Sequence, residues 1–403
     1  MDKLKITRLR GLYETALFDD VVPFWMKHSP DREHGGYLHI LDRDGTPFST
    51  DKYAWPTARE VWFFSTLCDM VEKRKEWLDM ARLGWDFIVK HFFDPRGRVY
   101  YSFTREGRPL TIPRRIFSET FVIIAGARYA RVTGDRGAAD IARRLFRMVV
   151  ELAETPAAGT QKAVPGAREM VTMAIPMIMV NVTREMMLLD GETPELMDYS
   201  ASCIEKLLRL HIHPERKLAF ENVAPDGSLM LDLPEGRFLI PGHAIEAAWF
   251  LMVEGMLRND RSLIDRACEL TLWELEFGWD REYGGITYFM DSEGKPPLPL
   301  ESDMKLWWCH NEALIALLHA IRLKGGAEFE TWHDRVHDYT FKTFPDPEYG
   351  EWIGYFHRDG RVALRVKGSN WKGCFHLPRH LLYCWLLLKE MEKDEASSVE
   401  VRR

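Results

Sequence analysis

The sequence lacks several features that would point to common classes of protein. Its six cysteines stand singly, without the paired spacings of a disulfide framework or a zinc site. Its longest apolar stretch, Ala174 to Val180, contains a proline and is far too short to span a bilayer. The charged start, Met1 to Arg10, has no apolar run behind it. These absences predict a cytoplasmic protein without disulfides or a membrane partner.

Signals for phosphate, nucleic acid and metal are missing as well. No glycine-rich loop joins a strand to a helix in the phosphate-binding pattern, and no nucleophile elbow is present. The formal charge of -7 is spread along the chain without a basic stripe, so nucleic acid is not an expected partner. His243 with Glu246 and His310 with Glu312 are imidazole and carboxylate pairs, but no His-Glu-x-x-His run accompanies them, so no metal is expected.

What the chain does contain is apolar material and a repeat. Hydrophobic residues make up 46% of the chain, with 14 Trp and 22 Phe, which is enough for a large core. Each clear copy of the repeat begins with an acidic residue, passes through Tyr or His with glycine and an alternating apolar strand, and closes in a glycine turn, as short β-hairpins do. Clear copies begin at Asp31, Asp280 and Asp346, and weaker ones at Asp94 and Pro214. The spacing implies a sixth copy between Glu154 and Gly166.

Two helical patterns separate successive hairpins, which gives twelve helices. They are predicted over residues 3–28, 56–74, 76–92, 116–133, 136–153, 168–190, 194–212, 241–258, 260–276, 302–323, 326–343 and 373–392. Helices that follow a hairpin are apolar nearly all round and should be buried, whereas the others are amphipathic. Six such pairs can close into an (α/α)6 barrel, so we expect an all-α single domain over residues 1–403 with the hairpins at one mouth.

The first turns of the inner helices carry the unusual residues. His243 follows a proline helix start and lies three residues before Glu246, whose carboxylate can hold the imidazole in one tautomer. A histidine satisfied inside the core would show the same pattern, and tryptophans or charges at helix starts are often packing or solvated groups. If all inner helices begin at the hairpin end, their first turns ring one mouth, which is the default ligand site.

Seven motifs, in order, resemble the N-acylglucosamine 2-epimerase family. They are Lys52-Tyr53-x-Trp55 with Arg59, Phe117-Ser118-Glu119, Glu221-Asn222-Val223, and the segments Pro241 to Phe250, Met304 to Ala313, Asp346 to Trp352 and Lys372 to His376. The match runs from about Phe24 to Arg379, and within the family the chain is most similar to the branch called renin-binding protein.

The resemblance implies an (α/α)6 barrel, usually a homodimer, that interconverts sugars epimeric at C2 without a required cofactor. The two histidines that exchange the C2 proton map onto His243 and His376, and the arginine that steadies the enediolate maps onto Arg59. The acidic residues that orient or tune the histidines map onto Glu246 and Glu312. The expected substrate-binding residues are Tyr53, Trp55, Glu119, Met177, Trp308, Trp371 and Lys372.

At two places the chain departs from motifs of related epimerases, and these departures bear on the expected size of the sugar and on activation by a nucleotide. Disaccharide epimerases of this superfamily carry an Asn-Thr-His-Leu-His run on the sixth helix, where this chain has Ala174 to Met179, which favours a monosaccharide. The nucleotide-stimulated members have a glycine-rich loop before that helix. The segment Ala158 to Lys162 matches this loop only in part, so ATP as an allosteric activator gains little support.

The preferred function is therefore interconversion of N-acetylglucosamine and N-acetylmannosamine. A mannose 2-epimerase or an aldose–ketose isomerase would use the same enediolate. A protease-regulating binding protein, as the branch name suggests, would need a long exposed leucine heptad, whereas helix 194–212 has only a modest leucine stripe typical of barrel packing. An (α/α)6 glycoside hydrolase would need two carboxylates flanking a bond, for which Glu246 and Glu312 are the candidates.

Overall fold

The computed structural model describes residues 1–113, 115–154 and 168–400, with side chains as far as 394. The helices are α1 (Lys3–Thr15), α2 (Val22–His28), α3 (Ala54–Met70), α4 (Lys75–His91), α5 (Phe117–Thr133), α6 (Arg136–Glu154), α7 (Ala174–Asp190), α8 (Pro194–Lys206), α9 (Pro234–Arg237), α10 (Pro241–Leu257), α11 (Arg261–Gly278), α12 (Trp307–Leu323), α13 (Ala327–Thr343) and α14 (His376–Glu400). Two π-helical stretches, Ala16–Val21 and Leu207–His211, join α1 to α2 and extend α8.

Six helices form an inner ring, in which α3, α5, α7, α10, α12 and α14 each pack against the next. Trp62 of α3 contacts Phe375 and Tyr383 of the α14 region, which closes the ring. The inner helices are buried at successive positions, as α10 is from Ala244 to Met252, because their apolar residues cover every face. The outer helices bury only one face, as α6 does. The predicted (α/α)6 barrel is confirmed.

The predicted helix ranges agree with the observed ones to within a few residues at most ends. Two starts were predicted too early: α7 begins at Ala174 and α12 at Trp307, because a short strand precedes each of them. Helix α14 also runs past its predicted end. Most of the predicted sixth hairpin, Glu154 to Gly166, and all of Ala158 to Lys162 lie outside the described residues.

Short strands connect neighbouring repeats at one mouth of the barrel. They are β1 (Lys52–Tyr53), β2 (Ser102–Phe103), β3 (Pro109–Thr111), β4 (Val171–Thr172), β5 (Ile212–His213), β6 (Leu218–Ala219), β7 (Asn222–Val223), β8 (Phe238–Leu239), β9 (Met290–Asp291), β10 (Met304–Leu306), β11 (Tyr355–His357) and β12 (Val362–Leu364). Strands β1, β4, β8 and β10 stand directly before inner helices. Each pairs antiparallel with a strand of the following hairpin, namely β2, β7, β9 and β11.

Three of the predicted hairpins form paired strands, and two are reduced to isolated bridges. The copies that begin at Asp94, Pro214 and Asp346 contain the pairs β2 with β3, β5 with β6 and β11 with β12. The copy at Asp31 closes through two isolated bridges, Pro30 with Tyr37 and Leu41 with Pro47, and the copy at Asp280 through one, Trp279 with Ile286. Their alternating segments are held by the neighbouring repeat as well as by their own turn.

The acidic residue that opens each clear repeat is a buried anchor. Asp280 accepts hydrogen bonds from Lys305 Nζ at 2.9 Å and from Arg358 Nε at 2.7 Å. The same arrangement recurs with Asp31, Lys52 and Arg105, and with Asp346, Lys367 and Arg43. Burial disfavours the ionised carboxylate, but the two cations outweigh it and hold the pKa of Asp280 well below its usual range. Because each arginine comes from the neighbouring hairpin, these triads fix the hairpins around the mouth.

The leucine stripe of the predicted helix 194–212 packs inside the barrel. Leu196, Ile204, Leu207 and Leu210 are all buried, so they form no exposed heptad surface. Among the described helices, none is long and apolar enough to cross a membrane.

Candidate active site

A cavity of about 560 Å³ opens at the mouth that carries the hairpins. All six inner helices contribute residues from their first turns or the positions just before them, as the repeat predicted. Of the residues expected in the site, the cavity brings together Trp55, Arg59, Met177, His243, Glu246, Trp308, Trp371 and His376. Glu312 lies directly behind this wall and is fully buried.

His243 stands at the start of α10, where Pro241 occupies the first helical position and fixes the entry into the helix. Its Nδ1 contacts Glu221 Oε1 at 2.9 Å, so Nε2 is the nitrogen left for a ligand. Burial disfavours the imidazolium, but the charge and hydrogen bond of Glu221 outweigh it, and the pKa of His243 is raised. The prediction that Glu246 holds this imidazole was wrong, because the carboxylate of Glu246 contacts Arg379 instead.

His376, the first residue of α14, is paired differently. Its Nδ1 contacts Glu312 Oε1 at 2.8 Å, and the same carboxylate oxygen accepts from Arg379 Nη2 at 2.7 Å. Burial, followed by the positive charges of Arg59 and Arg379, holds the pKa of His376 well below its usual value. The two histidines therefore differ in electrostatics. One has a carboxylate to itself, and the other shares its carboxylate with an arginine.

Arg379 joins the two remaining carboxylates of the site. Its Nη2 lies 2.5 Å from Glu246 Oε1 as well as 2.7 Å from Glu312 Oε1. Glu312 is held on its other side by Trp249, whose Nε1 donates to Oε2 at 2.8 Å. Glu246 and Glu312 are thus parts of one buried ion network, and they do not face each other across an open space.

Arg59 is a cation packed among aromatic rings. Its guanidinium carbon lies 4.0 Å from the centroid of Phe121 and 4.5 Å from that of Phe375. Its Nε is buried and has no hydrogen-bond partner among the described residues. Burial lowers the pKa of Arg59 to about 9, against the opposing pull of Glu246. Such a guanidinium is available to an oxygen that becomes negative in the cavity.

Trp308 lies between the two histidines. The centroid of its indole is 5.3 Å from that of His243 and 5.5 Å from that of His376. Gly242 makes this approach of α10 to α12 possible, because a Cβ there would lie 2.7 Å from Cys309 Sγ and 2.9 Å from the Trp308 ring. At the outer rim, Trp371 meets the edge of Trp55 with ring centroids 5.6 Å apart.

Three predicted substrate-binding residues lie outside the cavity lining. Glu119 is fully buried and accepts from Arg98 Nε at 2.6 Å, so it anchors a hairpin. Lys372 is fully buried on Glu351 at 2.5 Å. Tyr53 packs against His39 and Tyr101. Residues adjacent in a first turn point to different sides of the helix, so a place at the mouth does not bring every side chain into the cavity.

Sequence reasoning assigned no role to two residues that matter most to this geometry. Glu221 belongs to a motif that was noticed, but it lies on a hairpin, and nothing local connects it to His243. Arg379 stands three residues after His376 in the first turn of α14, and its contact with the carboxylates of α10 and α12 depends on the barrel closing. The only local sequence signal for Glu221 is that an acidic residue stands directly before strand β7.

One group of described residues could in principle hold a metal ion: Glu246, Glu312 and His376. Arg379 Nη2 already bridges the two carboxylates, and its charge stands where a cation would need to be. The donor set of these three residues therefore does not fit a metal ion. The same bridge argues against a pair of hydrolytic carboxylates, which must flank a scissile bond.

The fold and the cavity define a class. Two imidazoles, an arginine that forms no ion pair with another described residue, and aromatic walls at the mouth of an (α/α)6 barrel can move a proton next to a carbonyl and stabilise the resulting oxyanion. These are the groups that an isomerase acting on sugars requires.

Comparison with known proteins identifies the family to which the chain belongs within this class. The family model for N-acylglucosamine 2-epimerase matches residues 35–377, and the chain belongs to this family. The N-acylglucosamine 2-epimerase of Bos taurus is 38% identical over 93% of this chain and 90% of its own length. The cellobiose 2-epimerase of Bacillus thermoamylovorans has the same fold, with a TM-score of 0.82 at 20% identity over 95% of this chain and 100% of its own. A D-mannose isomerase superposes with a TM-score of 0.78 at 15% identity over 95% and 98% of the two chains. The chain is a carbohydrate 2-epimerase.

Proposed function

We propose that this enzyme interconverts N-acetylglucosamine and N-acetylmannosamine, with His243 and His376 moving the C2 proton. The observation that carries the proposal is the pair of imidazoles on either side of Trp308, each with Nδ1 on a carboxylate and each open to one cavity. The relative from Bos taurus, named for N-acylglucosamine, supports the choice of substrate.

The reaction needs a base and an acid on opposite faces of C2. A proton next to an aldehyde is weakly acidic, so the ring-opened sugar must meet a base within hydrogen-bond reach and a cation at the carbonyl oxygen. His376 is the neutral base, because burial and the neighbouring arginines hold its pKa well below the usual value. The intermediate is an enolate, because C2 of these sugars carries the acylamino nitrogen, and Arg59 stabilises its oxygen at C1.

His243 completes the inversion. Glu221 raises its pKa against the effect of burial, so it enters the reaction protonated and delivers its proton to the other face of C2. A single base would return the proton to the face that it left, and no epimer would form. In the reverse direction the two histidines exchange roles. Glu312 and Glu246, joined by Arg379, act as positioning residues for His376 and Arg59.

The aromatic walls have a role in binding. Trp55, Trp308 and Trp371 would stack on the C–H faces of the sugar and exclude water from the enolate. Met177, which lines the cavity in place of a polar residue, favours a monosaccharide over a disaccharide. The rival product is a ketose, which forms only from a sugar with a C2 hydroxyl, such as mannose, when the proton of its enediolate returns to C1.

Incubation with N-acetylmannosamine in heavy water, followed by NMR, tests the proposal. We expect deuterium at C2 and the appearance of N-acetylglucosamine. Label at C1 with formation of a ketose in a parallel incubation with mannose would indicate an isomerase, and unlabelled sugar recovered from N-acetylmannosamine after long incubation would refute the proposed substrate. Mannose, tested in parallel, separates an N-acyl enzyme from a mannose epimerase.

We further propose that residues 1–403 form one catalytic domain that acts in the cytoplasm as a homodimer and needs no cofactor. Light scattering after size exclusion should give twice the mass of one chain. Activity should survive dialysis against a chelator, and titration with ATP should leave the rate unchanged. A rate that rises with ATP would instead identify a nucleotide-stimulated enzyme.

A further inference from the structure

Arg115 is an arginine of the cavity wall for which the catalytic mechanism has no use. It precedes α5, one residue before the N-cap Ile116, and lines the cavity. Its Nε is buried without a hydrogen-bond partner, and no described residue forms an ion pair with its guanidinium. Burial alone lowers its pKa, whereas the pKa of Arg59 also responds to nearby carboxylates. A cation with unused donors at a cavity wall is suited to an acceptor group on a ligand.

The backbone of Arg115 is held in a costly conformation. Its φ is +44°, in the left-handed region that side chains other than glycine rarely adopt. The carbonyl of Arg115 accepts a hydrogen bond from Arg98 Nη2, and Arg98 is itself fixed on Glu119 Oε1 at 2.6 Å. The buried Glu119 therefore holds this turn in place. Strain that the surroundings maintain in this way is typical of functional positions.

The wall beside Arg115 is apolar. Helix α5 packs against α7, so the start of α5 lies next to the first turn of α7. From these helices Phe117, Ala174, Met177 and Ile178 line the same cavity. A ligand group that suits both features has an acceptor oxygen and a small apolar end. An acyl group has both, in its carbonyl oxygen and its methyl group.

We propose that Arg115 and the first turn of α7 form the subsite for the N-acyl group of the sugar. Arg115 donates to the acyl carbonyl oxygen, and the methyl group packs against Met177 and Ile178. This inference rests on the proposed N-acylated substrate. Helix α7 neighbours α10, which carries His243, so a substituent on C2 that points away from Trp308 on α12 reaches this wall.

The test compares Arg115→Met with wild type. Methionine keeps much of the length and removes every donor. The KM for N-acetylmannosamine should rise by about tenfold to a hundredfold, the range expected for a lost hydrogen bond to a charged donor, with kcat within about threefold. Inhibition by mannose, which has no acyl group, should be unchanged. Arg108→Met, an exposed change between β2 and β3, is the matched control and should alter neither constant.

The outcomes are distinct. An unchanged KM in Arg115→Met, or an equal weakening of mannose inhibition, would overturn the subsite. Inhibition of wild type by inorganic phosphate that disappears in the variant, with KM unchanged, would assign the arginine to an anion and overturn it as well. Wild-type enzyme that places no label at C2 of N-acetylmannosamine would refute the proposed function itself. Thermal melting of both variants confirms that they fold.

Discussion

The charge on Glu221 should determine how readily His243 delivers a proton, and Glu221→Gln tests this. The change keeps the shape of the side chain and a hydrogen bond to Nδ1 but removes the carboxylate that contacts it at 2.9 Å. A hydrogen bond to a charged group contributes about 1.5–3 kcal/mol, so kcat should fall by about tenfold to a hundredfold. The free energy of unfolding should change little by comparison, because the imidazole is still packed against Trp308.

The pH profile gives the sharper readout. Burial lowers the pKa of His243, whereas Glu221 and, to a smaller extent, Glu246 raise it, so the variant loses the larger raising effect and its His243 pKa should fall. Because His243 must be protonated to deliver its proton, the alkaline limb of the kcat profile should move to lower pH. The acid limb belongs to His376, whose carboxylate is untouched, and should stay in place.

A second histidine and glutamate pair on the same hairpin provides the control. His213 Nδ1 contacts Glu215 Oε1 at 3.0 Å, but this pair lies outside the cavity and its carboxylate is exposed. Glu215→Gln should leave the profile and kcat unchanged. An alkaline limb that stays in place in Glu221→Gln, or an equal effect of the two substitutions, would refute the reasoning.

Three further predictions concern stability and positioning. Asp280→Asn leaves Lys305 buried beside an uncharged partner and should lower the free energy of unfolding by about 3–5 kcal/mol. Asp359→Asn, a change in an exposed turn, should lower the free energy of unfolding only slightly. Denaturant titration measures both variants. Trp249→Phe removes the donor to Glu312 and should reduce kcat about threefold to tenfold at unchanged KM, measured in the steady state. Acidification should destabilise the fold, because buried histidines with lowered pKa values bind protons more easily in the unfolded chain than in the folded one. The stability that they contribute is fully present above pH 6.5 and is lost as the pH falls towards 4. At about pH 5 the free energy of unfolding should be lower by about 2 kcal/mol for each such histidine. These histidines are His310, His319 and His337, with pKa values lowered by burial to about 3, about 4 and about 4.

The barrel was predictable because its signals are local. Apolar residues all round a helix, a proline at a helix start and glycine turns are each set by a few neighbouring residues. The pairing of β1 with β2 or of β8 with β9 was not predicted, because two-residue strands leave no periodic pattern and their partners lie a full repeat away.

The site was predictable only as far as its helix starts. His243 and His376 stand where the repeat places them, whereas Glu221 reaches His243 from a hairpin, and Arg379 reaches Glu246 across the barrel. Lys372 and Glu119 were predicted to bind substrate because they stand near helix starts. Their side chains instead satisfy buried ion pairs, which only the packed structure reveals.

The most direct test of the two-histidine account is C2 proton exchange in heavy water with each single variant and each pure epimer. His243→Gln and His376→Gln should both abolish epimerisation. Each should still exchange the C2 proton of one epimer, and the epimer should differ between the two variants, because each histidine faces one side of C2. If one histidine proves necessary for exchange in both epimers and the other for neither, the two faces are not served by these residues and the central claim is wrong.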